Sequence, residues 1–106
     1  CETNLVHLIK DVRTEFNTPK LPVVIGELGN GGPQAGANML AIRAAQKAAA
    51  ERNELRGNVK FISTTAFARP KEQSPNVGHG HHWFGNAESY FLIGDALGKA
   101  MVDLRR

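Results

Sequence analysis

Three of the chain's four histidines stand at positions 79, 81 and 82, with glycines at 78, 80 and 85 and the only tryptophan at 83. Imidazole side chains titrate near neutral pH, and they therefore transfer protons or bind metal ions. Glycines give the backbone conformations that other residues resist. The segment 78–88 is therefore predicted to be a reactive loop, and the apolar periodicity after it predicts that the loop leads into a helix.

Two chemistries are open to this histidine-rich loop. A histidine can accept the proton of a hydroxyl nucleophile while another group orients its second ring nitrogen. Alternatively, His79, His81 and His82 bind a metal ion, but structural zinc sites usually take four ligands. The sequence offers neither a nearby cysteine nor an obvious fourth ligand. We therefore assign no metal and no cofactor to the loop, and metal binding stays the weaker alternative.

Glu27 is the carboxylate best placed to join such a site. It directly follows the apolar run 21–26, which is typical of a buried parallel strand. Ligands of open α/β sheets bind outside the carboxyl ends of the strands, so Glu27 is a candidate to orient a histidine or to contact a ligand hydroxyl. A loop carboxylate without a role is the alternative. None of Ser63, Ser74 and Ser89 lies in a Gly-x-Ser-x-Gly nucleophile motif.

Five elements are predicted to position these residues. Strands are expected at 21–26 and 59–63, and helices at about 5–16 and 37–52 and after the cap Asn86. The resulting order, helix–strand–helix–strand–helix, favours an α/β fold with parallel strands. The first helix is expected to bury a stripe of Leu5, Leu8, Ile9, Val12 and Phe16, and the last to bury Phe91, Leu97, Ala100, Met101 and Leu104.

The overall composition excludes several classes of protein. The 106 residues suit one domain, 1–106, with a modest core. A formal net charge of +3 without a long basic run gives no reason to expect nucleic acid as a partner. No apolar run approaches the roughly 20 residues of a membrane span. The single cysteine, Cys1, cannot form an internal disulfide.

The number of strands predicts that the domain is incomplete. Parallel sheets normally have several strands and both faces covered, and two strands would leave both outer edges open. We therefore expect this chain to be the C-terminal part of a larger sheet. Its partner is then either a missing N-terminal segment of the same domain or further copies of the chain.

Four runs of the sequence also resemble those of a known family. The runs at 21–29, at 42–46 (Ile-Arg-Ala-Ala-Gln), at 79–90 and at 91–101 are similar to the C-terminal half of sialate O-acetylesterase-like domains, which are carbohydrate esterase family six within the SGNH hydrolases. The resemblance covers nearly the whole chain. It implies a flavodoxin-like three-layer α/β/α fold, an extracellular or periplasmic location, and removal of acetyl groups from carbohydrate without a cofactor.

The resemblance assigns roles to particular residues. The family's histidine, just before the last helix, corresponds to His82, which is then the catalytic base, with His81 as the alternative one residue away. The family has an acid three residues earlier, where this chain has His79, so Glu27 becomes the candidate orienting acid. His81 and Trp83 are the candidates for binding the sugar. The family's serine lies in a Gly-Gln-Ser-type motif, and this chain lacks that motif.

The resemblance therefore implies an ester hydrolase that removes acetyl groups from acetylxylan or sialate-type carbohydrate by a Ser–His mechanism. Because the serine would lie in a segment absent from this chain, the chain alone is expected to be inactive. The alternative is a noncatalytic interaction or sugar-binding fragment.

Overall fold

The regular elements follow the predicted order, in a computed structural model that describes residues 1–106. They are α1 (Glu2–Glu15), β1 (Val23–Gly26), α2 (Ala37–Ala50), β2 (Val59–Ile62) and α3 (Ala87–Leu104). Single 3₁₀ turns lie in the connections, at Gly32–Gln34, Thr65–Phe67 and Lys71–Gln73. A longer, kinked 3₁₀ segment lies at Gly80–Gly85. None of the helices combines the length and the apolar character that crossing a membrane would need.

The two strands form one parallel sheet, which confirms the α/β class. Val23 pairs with Val59, and the register continues to Gly26 opposite Ile62. Helix α2 is the crossover between the strands. Because the strands are parallel, both carboxyl ends reach the same edge of the sheet, and the loops after β1 and β2 start side by side there.

The core lies between α1, α2 and one face of the sheet. Its buried members are Val6, Ile9, Ile25, Ala49, Ala50, Leu55 and Val59. Helix α3 contacts both strands, and a Cβ built on Gly26 would lie 3.3 Å from a methyl group of Leu97. Since neighbouring residues of a strand face opposite sides, Ile25 points to α1 and α2 while Gly26 faces α3. Helices therefore pack on both faces of the sheet.

The predicted apolar stripe of α1 was wrong in part. Val6, Ile9 and Arg13 are the buried residues of this helix, whereas Leu8 is 59% and Phe16 is 69% exposed. Helix α1 packs along α2 on one narrow side, so the outer part of a broad apolar stripe stays in solvent. The helix also begins at Glu2 with Cys1 at the N-cap, earlier than the predicted start at about residue 5.

The predicted start of α3 was correct, but its predicted core was only partly so. Asn86 is the N-cap, and its side-chain oxygen accepts a hydrogen bond from the Ser89 backbone N–H at 3.1 Å. Ala100 is buried as expected, while Phe91 is 71% exposed. A sheet of two strands is too narrow to cover the full apolar face of an 18-residue helix, and this leaves Phe91 in solvent.

Candidate functional site

Glu27 joins the loops that leave the two strands. Its Oε1 accepts hydrogen bonds from the Ser63 hydroxyl at 2.9 Å and from the backbone N–H groups of Thr64 and Thr65 at 2.9 and 3.2 Å. The Thr64 hydroxyl donates in return to the Glu27 carbonyl at 2.9 Å. A carboxylate that satisfies two loop amides is a strong local anchor. Glu27 therefore holds the start of the second loop against the first.

Helix α2 holds the glycine-rich loop after β1 from the other side. The buried guanidinium of Arg43 donates to the carbonyls of Leu28 at 2.6 Å, Gly32 at 2.9 Å and Asn30 at 3.1 Å. Gln46, one turn later, accepts from the Leu28 N–H at 2.9 Å. The five donors of a guanidinium lie in a fixed plane, so one side chain sets the path of several loop residues.

Glycine at position 29 is required by the close approach of the two loops. A Cβ there would lie 2.1 Å from the Thr64 hydroxyl oxygen and 3.0 Å from the Thr65 nitrogen. Thr64 itself is fully buried. Any side chain at Gly29 would push the loops apart and break the contacts that Glu27 makes to them.

The histidine-rich loop has an unusual backbone. Trp83 and Phe84 have φ values of 54° and 53°, in the left-handed region that costs a residue with a side chain about 1–2 kcal/mol. Hydrogen bonds hold this conformation: the Asn76 N–H donates to the Phe84 carbonyl at 2.9 Å, and the Phe84 N–H donates to the His79 carbonyl at 3.0 Å. Such strain persists where the surrounding structure imposes it.

The three histidines of this loop lie together on the surface. One ring nitrogen of each of His79, His81 and His82 lies within 4.8 Å of the others, and all three side chains are exposed. The rings of His81 and His82 are 4.2 Å apart between centroids. No imidazole nitrogen in the chain has a hydrogen-bond partner within it, so the ring nitrogens of this loop are available to an external ligand or a metal ion.

A cleft of about 620 Å³ opens between the three loops. Its walls are Gly31 to Gln34 after β1, Ala68 to Glu72 after β2, and Gly80, Trp83 and Phe84 of the histidine-rich loop. Arg69 on its wall is paired with Glu88, whose Oε1 accepts from both Nε and Nη2 of Arg69 at 3.0 and 2.7 Å. The lining combines two aromatic rings with polar and charged groups, which suits a polar ligand that has an apolar face.

Only some of the predicted site residues line this cleft. Trp83 lines the cleft directly, while His81 and His82 immediately precede it in the chain and face solvent. Glu27 makes no hydrogen bond to a histidine; its Oε1 is used by the loop after β2, and its Oε2 has no partner. The catalytic role of His82, the orienting role of Glu27 and sugar binding by His81 and Trp83 stay predictions.

The three serines all make other contacts. Ser63 donates to Glu27 at 2.9 Å, Ser74 donates to the Pro70 carbonyl at 2.8 Å, and the buried Ser89 donates to the Phe67 carbonyl at 2.6 Å. None of these hydroxyls is hydrogen bonded to an imidazole. The described chain therefore contains no serine–histidine pair of the kind that acyl transfer uses.

Sequence reasoning did not assign the loop-clamping roles of Arg43 and Thr64. A signal for Arg43 is present, since Arg43 and Gln46 are polar residues three apart on an otherwise alanine-rich helix and so share one face. Nothing local distinguishes Thr64 from Thr65. The burial of Thr64 depends on the loop after β1, which is more than thirty residues away in the chain.

Comparison with known proteins identified no relative of this chain. A scan against protein-family models found no match, and searches of curated proteins and of solved structures found none either.

Proposed function

We propose that this chain is the C-terminal part of a carbohydrate acetylesterase with an SGNH-type three-layer fold, in which His82 is the catalytic base. The observation that carries the proposal is the exposed, unpaired imidazole of His82, one residue from the aromatic wall of a cleft between the loops that follow the two strands. General bases of hydrolases are found at this edge of α/β sheets. The resemblance of the motifs around His82 to those esterases supports the same role.

The nucleophile of the proposed reaction is a serine from a segment outside this chain. Its hydroxyl loses a proton to His82 while its oxygen attacks the acetyl carbonyl carbon. The tetrahedral intermediate then breaks its bond to the sugar oxygen, which takes the proton from His82 to become a hydroxyl, and leaves an acetyl-enzyme. Water, activated by the same imidazole, releases acetate and regenerates the serine. The products are acetate and the deacetylated carbohydrate.

The remaining residues take supporting roles in this proposal. Trp83 presents an aromatic face to the sugar ring, and His81 offers a ring nitrogen for a sugar hydroxyl. Glu27 Oε2 has no partner and is the oxygen through which Glu27 would orient His82. Arg43, by holding the loop after β1, keeps the opposite wall of the cleft in place.

The test of the function uses acetyl-ester hydrolysis. The chain alone is expected to give no turnover, whereas the protein that also contains the segment encoded upstream is expected to be active. In that active protein, His82→Ala should lower kcat by about 10³-fold or more, as loss of the base does in serine hydrolases. The matched control is His7→Ala, because His7 is the exposed histidine on the remote helix α1.

Two outcomes contradict the proposal. Full turnover by the His82→Ala variant would exclude His82 as the base. Turnover by the isolated chain that the same substitution abolishes would show that the nucleophile lies inside residues 1–106. The upstream sequence gives an independent check, since it is expected to contain a Gly-Gln-Ser-type motif.

A noncatalytic sugar-binding fragment is the second candidate. The observation that favours it is that each of the three serines is bound to another group, while the cleft with Trp83 is formed within the chain. Titration with an acetylated oligosaccharide separates the two cases. Binding that Trp83→Ala removes, with no hydrolysis even when the upstream segment is present, supports the second candidate over the first.

A further inference from the structure

We propose that His79, His81 and His82 form a binding site for one Zn²⁺ ion. One ring nitrogen of each histidine lies within 4.8 Å of the other two. Imidazole is a preferred ligand of zinc, whereas Ca²⁺ and Mg²⁺ prefer oxygen ligands. The three residues are brought together by the turn of the loop, since the sequence separates them by no more than three positions.

Small side-chain movements close this cluster onto an ion. Tetrahedral zinc with nitrogen ligands at about 2.0–2.1 Å places those nitrogens about 3.3 Å apart. To bring nitrogens that lie within 4.8 Å of one another to this separation, each ring therefore has to move by about 1 Å. All three side chains are exposed, and exposed side chains change rotamer easily.

Hydrogen bonds hold the backbone of the three histidines, whereas their imidazole rings make no hydrogen bond within the chain. The His82 N–H donates to the His79 carbonyl at 3.0 Å, and the Tyr90 hydroxyl donates to the His82 carbonyl at 2.7 Å. No imidazole nitrogen of the cluster is used in a hydrogen bond within the chain. An ion therefore meets three ligands whose backbone is already ordered, so that only the side chains have to be fixed on binding.

Three protein ligands leave one tetrahedral position for water or an external ligand. That coordination is typical of open zinc sites and not of closed structural ones. Because the cluster faces solvent, the fourth position is accessible from outside. The site therefore takes a zinc ion that is exchangeable and not one that is required for folding.

Calorimetric titration with Zn²⁺ alone tests the site. The measurement uses a Cys1→Ser background, because the exposed thiol and terminal amine of Cys1 would form a separate chelate. One ion per chain is expected. His79→Ala and His81→Ala should each weaken binding by at least about tenfold, since disturbing even groups behind a ligand costs that much. His7→Ala, the matched control on α1, should leave the affinity unchanged.

A second measurement needs no ligand substitution. In the Cys1→Ser protein, nitrogen NMR signals of the three clustered imidazoles should shift together on addition of one equivalent of Zn²⁺, while those of His7 stay in place. The proposal is overturned if uptake is not stoichiometric, or if it is unchanged when all three clustered histidines are replaced by alanine. Shifts confined to a single ring would overturn it as well.

Zinc binding also has a consequence that rests on the proposed function. An ion that occupies the His82 ring removes the base, so Zn²⁺ should slow acetyl-ester turnover by the complete protein. His79→Ala, which leaves His82 in place, should relieve this inhibition. Uptake of zinc by the complete protein with undiminished turnover would contradict His82 as the base and leave the metal site intact, so the two failures are distinguishable.

Discussion

Arg43 shows how a single residue determines the shape of this site. The residue is only 7% exposed, and its guanidinium has three carbonyl oxygens, but no carboxylate, as partners. Hydrogen bonds to a charged donor stabilise more than neutral ones, and leaving buried acceptors without a partner is costly. The glycine-rich loop has few side chains with which to hold itself. Its path therefore depends on a cation supplied by α2.

We expect Arg43→Met to lower the free energy of unfolding by about 2–4 kcal/mol, because the substitution keeps much of the volume and leaves the carbonyls of Leu28, Asn30 and Gly32 without their donor. Urea unfolding followed by circular dichroism measures the change. The control is Lys47→Met on the exposed side of the same helix, which should stay within about 0.5 kcal/mol. Equal effects of the two substitutions would show that the loop does not depend on Arg43.

At the scale of elements, α1 is tied to the segment after α2 by ion pairs. Lys10 contacts Glu54 at 2.6 Å, and Arg52 contacts Glu2 at 2.6 Å. The hydrogen bond from Lys10 is the main cause that holds the pKa of Glu54 below its usual range. Desolvation opposes it, and the charges of Lys10, Arg52 and His7 add to the lowering. These pairs are exposed, so salt screens them.

The lowered pKa of Glu54 predicts the direction of a pH effect. A carboxyl whose pKa is lower in the folded state contributes stability above its unfolded pKa, near 4.3, and that contribution is lost as the pH falls through the folded-state pKa. Thermal melts from pH 7 to pH 2 are therefore expected to show a smaller loss of stability on acidification in Glu54→Gln than in the unsubstituted chain. The difference should shrink at high salt.

Glu51→Gln is the control for that comparison, because Glu51 is equally exposed but makes no ion pair. Its acid-side profile should match that of the unsubstituted chain. If Glu54→Gln also followed the unsubstituted profile, the pair with Lys10 would contribute nothing to anchoring α1.

At the scale of the whole molecule, the sheet is small for the helices around it. Each of its two strands has one edge without a partner, and large apolar side chains are exposed on both α2 and α3. They include Leu40, Ile42, Tyr90, Phe91 and Val102. Unpaired strand edges and exposed apolar faces tend to associate. Both features are in keeping with a sheet that continues in another segment or in a second copy of the chain.

We therefore expect the isolated chain to self-associate. Light scattering at about 0.1 mM, a concentration at which exposed edges and faces meet readily, should give a mass above that of one chain. Phe91→Ser should shift the distribution towards the monomer, whereas Leu8→Ser, a matched change on the remote helix α1, should shift it less. A stable monomer under these conditions would contradict this prediction.

How well the sequence predicted the structure differs from one element to another. The strands, the order of the helices and the cap Asn86 were predictable, because propensity, short-range periodicity and capping chemistry act over a few residues. The buried faces of α1 and α3 were predicted less well. Whether Phe16 or Phe91 is buried depends on the width of the neighbouring layer, and no local pattern contains that information.

The features of the candidate site were likewise predictable only in part. The sequence by itself determined that histidines, glycines and aromatic residues share one short loop before a helix, and that a carboxylate follows a strand, since these are facts of composition and spacing. Only the tertiary structure decided that Glu27 binds the loop after β2, that Arg43 holds the loop after β1, and that three imidazoles face solvent together. The contacts of Glu27 join segments up to about forty residues apart, and they form only when packing brings the two strand ends to one edge. Arg43 reaches its loop only when α2 packs beside it, and the exposure of the three imidazoles depends on how their loop packs on the rest of the chain.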